Sequence, residues 1–261
     1  MVRQIISEDT LEEYKIALSY DPEDNPSPLF DYTFHLAKLL KGKVVIVHAL
    51  ENLVSTKTDE EEEKILRNVE QILGELNPPV EWKVEIIYGK EVENFIQFVE
   101  KKGINLLAFY YFKKLFGKSL SEQFVEQLTN CGLLVVKEKQ TFKPIKKVLV
   151  PVDFSESSFK QKDFVLRLKE GNDLKVDFLH VLEDEDKSEE EEVKLLFGEL
   201  FEGIGNLRLE FGKPAEEIIE ILKNEGYDLV IIGRTGRGLN LDYGNVAQEV
   251  IKEVPCPVVV V

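Results

Sequence analysis

The distances between recurring residues constrain the fold of this chain more than any other feature, because the first half is repeated in the second. A strand-like segment ending in aspartate occurs at residues 14–21 and again at residues 146–153. A histidine follows each aspartate by 27 positions, at His48 and at His180. The first helix and the second strand of each half therefore correspond, and the chain is expected to consist of two related units.

A pair of glycines marks a further helix in each half. Gly103 follows Gly89 by 14 positions, and Gly226 follows Gly212 by the same distance. Between them, apolar residues occur at i, i+3, i+4 and i+7, the pattern of a helix with one buried face. These residues are Val92, Phe95, Ile96 and Val99 in the first half and Ala215, Ile218, Ile219 and Leu222 in the second. The second glycine of each pair is a predicted helix C-cap.

Unbroken apolar runs after these helices predict buried strands. They occupy residues 106–109 and 131–136 in the first half, and 229–232 and 256–261 in the second. Continuous apolar strands that alternate with helices are typical of a parallel sheet covered on both faces. The predicted fold class is therefore α/β and Rossmann-like, with two tandem units, each a five-stranded parallel sheet with helices on both faces.

The boundary between the units is predicted in the polar stretch 137–144. The first domain then spans residues 1–138 and the second spans residues 139–261. A linker this short requires the two domains to pack side by side as an internal pseudo-dimer. The fifth strand of each unit would otherwise leave an unpaired edge, so these two edges are the expected contact between the domains.

Composition excludes several classes of partner. The 33 basic and 49 acidic residues give a formal charge of -16, which opposes binding to nucleic acid or to an anionic membrane surface. No apolar run approaches the roughly 20 residues needed to cross a bilayer, and no signal peptide is visible. The two cysteines, Cys131 and Cys256, provide neither a disulfide framework nor the spacing of metal ligands. We therefore expect a soluble, cytoplasmic protein without a bound metal.

A glycine-rich segment follows the fourth strand of the second half. It begins at residues 233–238 with the sequence GRTGRG and continues to Gly244, after which a helix starts. Ligands of open parallel sheets lie at the carboxyl ends of the strands, near helix N-termini. Glycine lets the backbone approach an anion closely, and Arg234 or Arg237 could add hydrogen bonds. Such turns also occur without any ligand, so the loop alone leaves both readings open.

Several positions together give the chain a resemblance to the universal stress protein family, as a tandem, two-domain member. The residues that carry it are the segment VPVDFSE at 150–156, the pair His180 and Val181, and the closing segment CPVVV at 256–260. Nucleotide-binding members of the family have Gly, two residues, Gly, nine residues, Gly, then Ser or Thr. Here only seven residues separate Gly236 from Gly244, and Asn245 replaces the hydroxyl residue.

The resemblance implies the adenine nucleotide alpha hydrolase-like version of this fold and an ATP site in the second domain, with or without Mg²⁺. The adenosine would lie against Asp153 and Val181, and the phosphates would lie against the glycine-rich segment. The implied binding residues are Pro151, Val152, Asp153, Val181, Gly233, Arg234, Gly236, Arg237, Gly244, Asn245 and Val246. The protein would then be a nucleotide-dependent regulator or interaction module in the stress response. Association of two chains into a homodimer is a further possibility.

Two other functions remain as alternatives. One is a nucleotide-free scaffold of the same family, in which both domains only support association. The other is an ATP-hydrolysing enzyme, for which Asp153 is the sole candidate base. We rank the enzyme last and assign no catalytic residue. His180 lies within an apolar strand and is repeated by His48 in the half without the glycine loop, so a packed, structural histidine is expected.

In the first half, the corresponding loop has lost its glycines. Alignment places Tyr110 at Gly233, Lys113 at Gly236 and Ser119 opposite Gly244. Bulky side chains are expected to fill the space for phosphates, which makes the first half a structural partner. The sequence GKS at 117–119 imitates the end of a P-loop, but a phenylalanine at position 112 replaces the first glycine of that motif.

Overall fold

The fold is described from a computed structural model, which covers residues 13–50, 58–89, 92–114, 116–183, 187–235 and 245–261. The first half contains β1 (Lys15–Ser19), α1 (Leu29–Leu39), β2 (Lys43–Leu50), α2 (Thr58–Leu76), β3 (Trp82–Tyr88), α3 (Val92–Lys102), β4 (Leu106–Tyr110), α4 (Leu120–Gln127) and β5 (Gly132–Val136). The second half contains β6 (Lys147–Pro151), α5 (Glu156–Lys169), β7 (Lys175–Leu182), α6 (Lys187–Phe201), β8 (Asn206–Phe211), α7 (Pro214–Asn224), β9 (Leu229–Ile232), α8 (Asn245–Glu253) and β10 (Val258–Val260).

The ten strands within the described residues form one sheet, in the order β3-β2-β1-β4-β5-β10-β9-β6-β7-β8. Strands pair in parallel within each half, whereas β5 and β10 pair antiparallel, with Leu133 opposite Val260 and Val135 opposite Val258. The strand order of the first half is thus repeated in reverse across this junction. The predicted α/β fold with two tandem five-stranded units is confirmed, and the fifth strands join them.

Two hydrophobic cores cover the two faces of the sheet. One contains the buried faces of α1, α2, α5 and α6, and the other contains those of α3, α4, α7 and α8. Successive strand residues point to opposite cores, as in β1, where Ile16 and Leu18 face one core and Ala17 faces the other. Because both faces of the inner strands are buried, β4, β5, β9 and β10 are apolar throughout, whereas the edge strands β3 and β8 contain charged residues and are only partly buried.

Helix ends agree with the local sequence signals. Gly103 and Gly226 adopt the left-handed conformation at φ +61° and +64°, as expected for C-caps. Ser119 begins α4 through a capping box: its hydroxyl accepts a hydrogen bond from the Glu122 amide at 3.1 Å, and the Glu122 carboxylate accepts one from the Ser119 amide at 2.8 Å. Ser119, the last residue of the sequence GKS, is therefore the N-cap of α4.

The connection between β5 and β6 packs against α1. The ring of Phe142 lies edge-on to Tyr32 at 5.1 Å and to His35 at 5.6 Å between ring centroids. The Tyr32 hydroxyl donates to the Thr141 carbonyl at 3.1 Å, and the Ile145 amide donates to Nε2 of His35 at 2.9 Å. The first helix of the first half thus orders the connection. The domain boundary at residues 138 and 139 stays a prediction.

The His35 hydrogen bond predicts a pH dependence of stability. Burial lowers the pKa of His35 from 6.5, and nearby Lys38 lowers it further. A depressed pKa means that the unfolded chain binds the proton more readily, so stability is complete above about pH 6.5 and falls as the pH drops toward the folded-state pKa. Between pH 8 and pH 5, urea unfolding should show a smaller loss of unfolding free energy in His35→Gln than in the wild-type protein. The amide oxygen of glutamine can accept the same hydrogen bond without titrating. Equal losses in both proteins would refute this assignment.

Candidate functional site

The candidate site lies at the carboxyl ends of β6 and β9, where the strand order of the second half reverses. The two strands pair at Val148 with Leu229 and at Leu149 with Val230. Beyond these pairs, β6 leads to α5 on one side of the sheet, whereas β9 leads towards α8 on the other. A crevice at such a point is the usual ligand position of open α/β sheets.

Asp153 follows β6 and is held by the first turn of α5. Its Oδ1 accepts hydrogen bonds from the Ser155 amide at 3.0 Å and from the Ser158 hydroxyl at 3.3 Å. The chain turns sharply at Phe154, whose φ is +57°. Ser155 is the N-cap residue of α5, and within the described residues its Oγ is buried without a hydrogen-bond partner. A helix N-terminus with an unsatisfied hydroxyl is a favourable surface for an anionic ligand.

His180 has a structural hydrogen bond that is repeated in the first half. Its Nδ1 lies 2.8 Å from the Val152 carbonyl oxygen, and Nδ1 of His48 lies 2.8 Å from the Tyr20 carbonyl oxygen. A carbonyl only accepts, so Nδ1 carries the hydrogen in both rings. Both side chains are buried. The prediction of packed histidines is confirmed, because each ties the second strand of its half to the residue before the aspartate.

The end of β9 approaches α5 too closely for any side chain at Gly233. A Cβ atom built there would lie 2.6 Å from the Cβ of Ser157. Gln161, buried on α5, fills the space between the diverging strands: its Nε2 donates to the Pro151 carbonyl at 2.6 Å and to the Ile231 carbonyl at 3.0 Å. The glycine and the glutamine together hold α5 close to the ends of β6 and β9.

Sequence reasoning missed three side chains of this site. Ser157 and Thr235 lie with their hydroxyl oxygens 3.1 Å apart, which links α5 to the exit of β9. Gln161 was recognisable in principle, because it occupies the same helical stripe as the apolar residues Phe164, Val165 and Leu168. A polar amide in an apolar stripe indicates buried hydrogen bonding.

Arg234 lies elsewhere than expected. Its guanidinium donates to the Val125 carbonyl at 3.1 Å and to the Cys131 carbonyl at 3.3 Å, both in the first half. Its backbone amide continues the pairing of β9 with β10 by donating to the Val261 carbonyl at 2.9 Å. The side chain therefore points across the junction, and we withdraw it from the expected phosphate contacts.

The other predicted binding residues divide into two groups. Those at the described crevice are Pro151, Val152, Asp153 and Gly233, with Val181 at the end of β7 and Val246 in the first turn of α8. Gly236, Arg237 and Gly244 lie outside the described residues, and Asn245 is the first residue of α8. Their part in binding stays a prediction.

In the first half, Tyr110 occupies the position that corresponds to Gly233. Its side chain is 4% exposed, and its hydroxyl donates to the Asn25 carbonyl at 2.9 Å and accepts from the Leu29 amide at 3.1 Å. Burial raises the pKa of this phenol far above its usual value, so it stays protonated. The N-terminus of α1 is thus satisfied by a tyrosine of the protein itself, at the place where the second half has a glycine.

Two further groups of residues lie away from the crevice. Burial raises the pKa of Cys131 and of Cys256 to about 12, which agrees with packing in place of redox chemistry. The acidic runs 59–63 and 183–192, which the sequence indicates as solvated helix starts, overlap the N-terminal parts of α2 and α6, and residues 184–186 lie outside the described residues. Within the described residues, no three acidic, histidine or cysteine side chains form a metal-ligand group. No described helix is long and apolar enough to span a membrane.

The doubled parallel sheet with helices on both faces defines an α/β protein of Rossmann-like fold. The structure of a universal stress protein from Archaeoglobus fulgidus matches with a TM-score of 0.72 at 19% identity, over 95% of this chain and 98% of that one. A candidate universal stress protein of Pseudomonas aeruginosa matches with a TM-score of 0.68 at 15% identity, over 96% and 93%. At these identities the likeness concerns the fold.

The sequence comparisons define the family. Residues 202–261 match the model of the universal stress protein family. A universal stress protein of Methanocaldococcus jannaschii is 30% identical over 139 aligned positions, which cover 44% of this chain and 81% of that protein. The chain therefore belongs to the universal stress protein family.

Proposed function

We propose that the second half binds an adenine nucleotide, ATP with or without Mg²⁺, and that the protein acts in the cytoplasm as a nucleotide-dependent regulator or interaction module. The observation that carries this proposal is the contrast between Gly233 and Tyr110. The first half closes its own crevice with a buried phenol that satisfies the N-terminus of α1. The second half has no side chain at that position and leaves a buried Ser155 hydroxyl without a partner among the described residues.

The groups around the crevice suit an anionic nucleotide. The N-terminus of α5 contributes the positive end of a helix dipole, which matters in a chain of net charge -16. Asp153 would meet the adenosine, as the family resemblance implies. The phosphates would bind the glycine-rich segment through Gly236, Arg237, Gly244 and Asn245.

The described contacts do not favour ATP hydrolysis. Asp153, the sole candidate base, already accepts two hydrogen bonds from the first turn of α5. This carboxylate oxygen is therefore engaged in holding the first turn of α5. His180 uses Nδ1 for the Val152 carbonyl, in the arrangement that the first half repeats. We therefore propose a binding protein and not an enzyme.

Direct identification of a bound nucleotide tests this proposal. Freshly purified protein is denatured, and any released nucleotide is identified by chromatography; the emptied protein is then titrated with ATP by calorimetry. About one nucleotide per chain is expected, because the Tyr110 side chain occupies the corresponding place in the first half. No binding at millimolar ATP would replace the proposal with the nucleotide-free scaffold. Two nucleotides per chain would contradict the closed first half.

A further inference from the structure

Arg234 connects the exit of β9 to the first half of the protein. Its guanidinium binds the carbonyl of Val125, in α4, and that of Cys131, just before β5. The carbonyls at a helix C-terminus carry partial negative charge, so a cation there is favourable. Hydrogen bonds from a charged guanidinium are also stronger than those between neutral groups. The contact is therefore a substantial link between the domains, formed outside the paired strands.

The residues on either side of Arg234 belong to the candidate site. Gly233 lies against Ser157, and the Thr235 hydroxyl lies 3.1 Å from that of Ser157. Gly233 and Thr235 therefore contact α5, whereas Arg234 between them binds carbonyls of the first half. A shift of the first half would be transmitted directly to the chain that enters the proposed nucleotide site.

We infer that Arg234 is a positioning residue that anchors the exit of β9 on the first half, so that nucleotide binding in the second half depends on the first. This inference rests on the proposed function. A backbone that is already held in its binding position loses less conformational freedom when the ligand arrives. The first half, whose own crevice Tyr110 closes, then serves as the support for its neighbour's site.

Thermodynamic reciprocity adds a second expectation. If the anchored junction strengthens nucleotide binding, then bound nucleotide must strengthen the junction by the same factor. The effect should reach the segment at 125–132, which carries the two acceptor carbonyls and whose Leu128 and Gly132 amides bond within the first half. The regulator role would then operate through the contact between the domains.

The test uses the full chain and the variant Arg234→Met, which keeps an apolar stem and removes the donors. We expect ATP affinity, measured by calorimetry, to fall between about 5-fold and 100-fold. Arg234→Lys, which can still donate to one carbonyl, should recover part of the loss. Arg208→Met is the matched control: it removes the same charge from a guanidinium that pairs with Glu210 and Glu225 in the second half, so ATP affinity should not change.

Hydrogen exchange separates positioning from a merely structural role. ATP should slow exchange at residues 125–132 in the wild-type protein and in Arg208→Met, but not in Arg234→Met. The inference is wrong, while the proposed function stands, if Arg234→Met binds ATP as tightly as a wild-type protein that does bind it. The same holds if ATP does not change the rate of hydrogen exchange at residues 125–132 of the wild-type protein. If the wild-type protein does not bind ATP, both are overturned.

Discussion

Replacing Tyr110 with alanine is expected to lower the free energy of unfolding by about 3–5 kcal/mol, the range for removing a large aromatic side chain from a core. The ring is 4% exposed and fills the first-half crevice between β1 and β4. Its removal would leave a cavity and would also leave the Leu29 amide and the Asn25 carbonyl without their present partner. Urea unfolding followed by circular dichroism measures the loss.

Tyr110→Phe isolates the hydroxyl from the ring. We expect a loss of about 1–3 kcal/mol, because a buried amide is left unsatisfied. Tyr88→Phe is the control: Tyr88 is 50% exposed and its hydroxyl bonds the exposed Glu62 carboxylate, so its effect should stay within about 0.5 kcal/mol. Equal stability of Tyr110→Phe and the wild-type protein would show that the phenol does not satisfy the N-terminus of α1.

Replacing Gly236 with valine is expected to weaken ATP binding at least about 100-fold, which corresponds to the loss of two charge-assisted hydrogen bonds. The expectation rests on the glycine motif, because Gly236 lies outside the described residues. A branched side chain excludes left-handed backbone conformations and prevents close approach of the chain to phosphate. Calorimetric titration of the purified variant measures the change.

Gly74→Val provides a matched control for this substitution. Gly74 lies in α2, and a Cβ built there meets no atom within 4 Å, so the same exchange should leave ATP affinity unchanged. If Gly236→Val binds ATP as tightly as the control, the glycine-rich segment does not hold the phosphates. The assignment of Arg237, Gly244 and Asn245 to phosphate binding would then also be wrong.

The repeat could be predicted from the sequence because it rests on local signals. Apolar runs, glycine caps and constant distances repeat without regard to distant contacts, and they predicted the two five-stranded units and the correspondence of His48 with His180. The crevice at Asp153 and Gly233 was also predictable, since it follows from the general position of ligands in parallel sheets. The equivalence of Gly233 and Tyr110 needed only the alignment of the halves.

Only the tertiary structure decided which groups these residues touch. Arg234 stands beside a glycine motif, yet it binds carbonyls 109 and 103 positions away in the chain. Tyr110 reaches Asn25 and Leu29 across the first half, and Gln161 of α5 links the carbonyls at the ends of two strands. Residue type and local spacing determine which secondary structure forms and which face is buried. The partner of a long polar side chain depends on what the folded chain brings within about 3 Å of it, and that distance is fixed only when the two halves pack.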